Sequence, residues 1–167
     1  MKKIYSILLF PVLFLSGCGL FITPQVREFD LNVKPDSITE PVRVAAVRNL
    51  SNSGQRFLLR SGAELSRDSY NLWTTEPGAL IGNALNRIFS KNGKQTAVFI
   101  CDVDCFEADL NKNVFRISGS YRRQGTSAAH CFDIATEIKN KSPESIVDAA
   151  SKAVEELAVL LSGNKKR

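Results

Sequence analysis

Val114-Phe115-Arg116-Ile117-Ser118-Gly119-Ser120-Tyr121-Arg122-Arg123 alternates inward and outward side chains with a period of two, the period of a half-buried strand. Phe115, Ile117, Gly119 and Tyr121 fall on one face, and Asn111-Lys112-Asn113 and Gln124-Gly125-Thr126 bracket the run with turn residues. A similar run lies on either side. Thr96 to Phe106 sets Phe99, Cys101, Val103 and Cys105 against Asp102 and Asp104, and Ala128 to Ile138 sets His130, Phe132, Ile134 and Ile138 inward with Asp133 and Glu137 outward. Three alternating runs joined by short turns predict an antiparallel meander.

Upstream, Pro77 opens a helical stripe of Leu80, Ile81, Ala84, Leu85, Ile88 and Phe89, with Asn92-Gly93 as its expected close. Downstream, Ser142-Pro143-Glu144 combines a capping hydroxyl, a proline at the first helical position and an acid at the positive end of the dipole. Ile146, Val147, Ala150, Val154, Leu157, Ala158 and Leu161 form the stripe of this second helix, and Gly163 ends it. Nearer the N-terminus, Phe29, Leu31 and Val33 alternate with Glu28, Asp30 and Asn32 as a strand would. Val42 to Arg48 is more continuously apolar, which predicts a central strand, and Gln55 to Ser61 predicts a short third one with Phe57 and Leu59 on one face. Gly62 to Thr75 is polar until Tyr70-Asn71-Leu72-Trp73, a cluster that carries the single tryptophan. These elements predict an α+β fold: a two-layer domain with a mostly antiparallel sheet and two amphipathic helices on one face.

The N-terminus has a separate logic. Lys2 and Lys3 precede an apolar run from Ile4 to Leu15 that ends in small residues, the pattern of a signal peptide and too short for a permanent span of about 20 residues. Leu15-Ser16-Gly17-Cys18 resembles the form that bacterial lipoprotein maturation cuts and acylates. The expected organisation is therefore a removed signal peptide at 1–17, a lipidated tether at 18–25, one domain at 26–163 and a basic tail at 164–167. By the same resemblance, Gly19 rather than an aspartate after Cys18 implies an outer-membrane address facing the periplasm. Lipid on Cys18 would anchor the chain to a membrane without threading it through.

The chain of 167 residues carries 22 basic and 17 acidic side chains, and losing residues 1–17 lowers its formal charge from +5 to +3. So small a balance gives no ground for nucleic-acid binding, which calls for a clustered basic face with aromatic platforms. With Cys18 used for lipid, Cys101, Cys105 and Cys131 leave an odd thiol in an oxidising compartment. Cys101 and Cys105 on one strand would stand roughly 13 Å apart, beyond the disulfide limit of about 7 Å. Buried free thiols are the expectation, with a bridge from Cys131 to one of the others as the alternative. A metal site is not expected, since His130 is the single histidine and no CxxC pair exists.

Asp102 and Asp104, roughly 6.6 Å apart by strand rise, are the carboxylates that a hydrolase could use, with His130. A solvated strand face explains them as well. The sequence holds no GxSxG elbow, glycine-rich phosphate loop, HExxH or EF-hand, so neither an enzyme nor a cofactor is expected.

Arg60-Ser61-Gly62, then Tyr70-Asn71-Leu72-Trp73, then the proline-opened helix with Leu85 and Ile88, resemble the ABC-type transport auxiliary lipoproteins. Phe106-Glu107-Ala108-Asp109 and the Phe115 to Tyr121 strand, followed by a strand and a terminal helix, fit the same family. The resemblance covers most of residues 27 to 162. It implies a non-enzymatic lipoprotein that docks the MCE protein of an ABC-type intermembrane lipid transporter, with homo-oligomers possible. Tyr70, Leu72 and Trp73 are its candidate partner-binding or structural residues, and the open sheet face is a second candidate surface. The rival readings are a lipopolysaccharide-assembly lipoprotein, which also begins Cys-Gly and builds a small sheet with two helices, and a periplasmic hydrolase.

Overall fold

The alternation of residues 97 to 137 builds the spine of the molecule. The computed structural model describes residues 24–51, 53–89 and 97–163, so the expected signal peptide, Cys18, most of the tether, Asn92-Gly93 and the basic tail lie outside the described residues. Its elements run β1 (Arg27–Phe29), β2 (Val42–Asn49), β3 (Arg56–Ser61), β4 (Glu64–Trp73), α1 (Pro77–Ile88), β5 (Ala97–Asp109), β6 (Val114–Arg123), β7 (Ala129–Glu137) and α2 (Pro143–Leu161). The result is an α+β domain of two layers, a seven-stranded sheet with both helices on one face.

The sheet order is β1-β4-β3-β5-β6-β7, with β2 also paired to β5. β5 is long enough to take two neighbours on one side, β2 along Ala97 to Val103 and β3 at Ala108 and Asp109, both parallel. The β5-β6-β7 meander and the β3-β4 hairpin are antiparallel, and β1 joins β4 in parallel. Three strand pairs are antiparallel and three parallel, but the antiparallel ones hold most of the paired residues, so the sheet is mostly antiparallel.

Both helices start as their residues dictate. Ser142 Oγ accepts the Ser145 N–H at 3.3 Å, with proline in the first turn of α2. In α1 the cap is Glu76, whose carboxylate accepts from the Gly78 and Ala79 amides at 3.1 and 3.3 Å. The apolar stripes of both helices are buried against the sheet and each other. Thr136, on the inner face of β7, donates to the Ala149 carbonyl at 2.6 Å and ties strand to helix.

Four expectations need correction. Glu64–Trp73 is a full strand rather than a polar connection, because Gly62, at φ +64°, closes a tight hairpin and β3 then supplies partners for its backbone. The strand expected through Val33 pairs only over Arg27–Phe29, although Leu31 and Val33 stay buried as extended chain beneath α1 and α2. β2 is not central: it pairs with β5 alone, and Ala45 and Ala46 are exposed beside a bulge. In β5 the strand runs on to Asp109, and a bulge between Val103 and Cys105 moves Cys105 off the inner row and brings in Phe106 and Ala108.

The core lies between the layers. Part of it is an aromatic cluster in which Trp73 stacks on Phe57, with Phe106 tilted beside it and Phe115 edge-on. No helix among the described residues is long and apolar enough to cross a membrane.

Candidate functional site

Residues opposite one another in a sheet point the same way, so the registers sort the chemistry-bearing side chains onto two faces. Asp102, Ser120 and Cys131 share one cross-strand row, and Tyr121 and His130 belong to another that faces the helices. Asp102 and His130 thus stand on opposite sides of the sheet. His130 lies over the Tyr121 ring, centroids 5.4 Å apart, at the exposed end of the inner face. The residues a hydrolase would use are not brought together. Among the described residues no group of three His, Cys, Asp or Glu could hold a metal ion.

The outer face, which neither helix covers, carries three arginine–carboxylate pairs that link neighbouring strands. Arg48 donates to Asp102 through Nε and Nη2 at 2.5 and 2.6 Å. Arg116 holds Asp133 in the same fork at 2.7 and 2.6 Å. Arg60 grips Glu107 through Nε and, at 3.0 Å, Nη2. These hydrogen bonds hold the Asp102 and Asp133 carboxyls below the usual aspartate range. Asp104, at the bulge, is exposed. Three of the carboxylates on this face are thus held by arginines of neighbouring strands.

Of the Tyr70-Leu72-Trp73 cluster, Trp73 is 2% exposed inside the core, Leu72 is half-buried opposite Arg56, and Tyr70 is 47% exposed. Asp68 shapes this corner by accepting the amides of Tyr70 and Asn71 at 2.8 and 3.1 Å. Tyr70 and Leu72 are therefore the members of the cluster within reach of a partner.

The three described cysteines are free, with Cys101 buried, Cys105 half-buried and Cys131 exposed. The expectation of buried thiols thus fails for Cys131: β7 is the last strand, and Cys131 points to the uncovered face. Burial pushes the Cys101 thiol up to about 12 and the Cys105 thiol up to about 11.

Sequence reasoning missed that β7 is the outermost of the described strands on its side of the sheet. A groove of about 850 Å³ lies beside this edge, lined by Phe132 and Ile134 of β7, Lys152 and Val159 of α2 and Lys34 and Ile38 of the segment before β2. Alternation identifies a strand but not its neighbours, so nothing local could have marked β7 as the outermost.

No family model matches the chain, and no curated protein does. Solved structures similar in fold include the following two. One, described as an uncharacterized protein, has a TM-score of 0.66 at 11% identity and covers 83% of this chain and 97% of its own. The other is protein XCC0632 from Xanthomonas campestris, family-model DUF330, with a TM-score of 0.58 at 13% identity and coverage of 83% and 96%. At such identities the likeness establishes the fold alone.

Proposed function

We propose that the chain is an outer-membrane-anchored auxiliary lipoprotein of an MCE/ABC-type intermembrane lipid transport system, acting by binding and docking the transport complex. The observation that carries this reading is the pairing of Leu15-Ser16-Gly17-Cys18 with a domain whose described helices both lie on one sheet face and leave the other without a helix. An acylated Cys18 fixes the domain at a membrane surface. A sheet face carrying three arginine–carboxylate pairs, with Tyr70 and Leu72 at one corner, gives a docking protein its contact area. The resemblance carried by Arg60-Ser61-Gly62, Tyr70 to Trp73 and Phe106 to Asp109 supplies the class of partner.

Two measurements test it. Cys18→Ala should move the protein from the membrane to the soluble fraction, and a protein that stays bound would refute the anchor. Affinity purification from membranes should recover an MCE protein with its permease and ATPase. Recovery of an outer-membrane lipopolysaccharide-assembly barrel instead would replace this reading with the rival one.

A further inference from the structure

We propose that the free edge of β7 is a self-association surface: it pairs antiparallel with β7 of a second copy, Ile134 opposite Ile134, so that two sheets join into one. The surface is defined by the sheet itself and does not depend on the transport reading.

The backbone gives the direction. The Ile138 N–H donates to the Asn113 carbonyl on the β6 side at 2.8 Å. N–H and C=O groups alternate sides along a strand, so residues 132, 134 and 136 also turn theirs toward β6. Ala129, Cys131, Asp133, Ala135 and Glu137 therefore present theirs to the open edge, where no described strand meets them.

The other edges are guarded and this one is not. β1 is three residues long, β2 carries a bulge between Val44 and Ala46, and the stretch of β4 that β1 leaves open is broken by an irregularity between Arg67 and Leu72, devices that blunt an edge against pairing. β7 offers nine residues in unbroken register with β6, without proline or bulge. An edge so regular is a template for another strand.

Charge selects the occupant and the register. Centring the pair on Asp133 would set two carboxylates opposite each other. Centring it on Ile134 sets Asp133 opposite Ala135 and Cys131 opposite Glu137, with no like charges facing. The same two-fold axis acts on the helices. Thr136 lies level with Ala149 through their hydrogen bond, so strand and helix rises place Ile134 level with roughly residue 153 of α2. Lys152 of one copy then meets Glu156 of the other, Glu155 being engaged by the Lys34 N–H of its own chain at 3.2 Å, and the partner helix covers the β7 side of the groove of about 850 Å³ that Lys152 and Glu156 line. Moving the axis to Phe132 shifts the helices by more than a turn and loses that match.

The test uses the full chain solubilised from membranes in detergent. Sedimentation should show a dimer, and Ala135→Pro, which removes a free-edge N–H at an exposed position, should raise its dissociation constant at least tenfold with unchanged circular dichroism. If that variant does not fold, Ala135→Lys supplies the same readout. Glu137→Cys fixes the register: its thiol should form an interchain disulfide with the native Cys131 of the second copy under oxidised glutathione. Within one chain those two positions are about 20 Å apart along the strand and cannot bridge. The cross-link should disappear when Cys131→Ser is added. A wild-type chain that stays monomeric, a dimer that survives both edge variants, or a Glu137→Cys chain that does not cross-link would each overturn the proposal.

Discussion

Trp73 lies against Phe57 with ring centroids 4.1 Å apart and planes 27° from parallel. Both are essentially inaccessible to solvent, and the pair locks the β3-β4 hairpin to the meander through Phe106 and Phe115. Trp73→Ala should therefore destabilise the domain by about 3–5 kcal/mol, the range for truncating a buried aromatic, and Trp73→Phe by clearly less. Denaturant unfolding followed by circular dichroism measures both. A loss below about 1 kcal/mol for the alanine variant would show that this cluster is not the centre of the core.

Gly119 is required by a different contact. A Cβ at this position would lie 1.9 Å from the Asp102 carbonyl oxygen, a backbone atom that cannot swing aside. Gly119→Ala should cost at least the upper part of the range of about 1–3 kcal/mol seen for overpacked sites. Ser118→Ala, one residue away on the outer face, serves as the near-neutral control. Equal thermal midpoints for the two variants would contradict the close approach.

The acid limb of stability should report the outer-face pairs. Hydrogen bonds from Arg48 and Arg116 hold Asp102 and Asp133 below their unfolded values. A carboxyl lowered in this way stabilises the fold above its unfolded pKa of about 3.9 and loses that contribution as pH falls through the folded value. Stability should thus fall below about pH 4 in the wild type, and Arg48→Gln with Arg116→Gln should flatten that limb while lowering the plateau above it. Unfolding curves between pH 2 and pH 6 test the slope. An unchanged limb would remove these pairs from the account.

Thiol reactivity should rank with exposure. Cys131 is exposed, whereas burial raises the thiol pKa at Cys105 and, further, at Cys101. Alkylation of the folded chain at pH 8 should mark Cys131 first, Cys105 more slowly and Cys101 only after unfolding, as read by peptide mass mapping. Early labelling of Cys101 would contradict its place in the core.

The helices and the meander were legible in sequence because their signals are local. Pro77 and Pro143 with their stripes, and the alternation around Phe115 and Phe132, report burial on one face, and the folded chain buries those faces. β4 was not legible: Glu64 to Asp68 lacks an apolar row, since its pairing with β3 rather than its packing holds it in the sheet. The bulge at Asp104 escaped for a related reason. Cys105 continues the apolar alternation past the extra residue, so only the partner register between Val103 and Cys105 reveals it.

By itself, the sequence determined the layers of this protein: two amphipathic helices and alternating strands must bury one face each, and the signal-like run ending at Cys18 stands outside that logic. Tertiary structure alone decided who neighbours whom. Side-chain periodicity records which face of a strand is dry, whereas strand order depends on backbone hydrogen bonds between distant segments, which leave no periodic trace. For that reason the parallel insertion of β2 and β3 beside β5, the separation of His130 from Asp102 and the open edge of β7 emerge only from the folded chain.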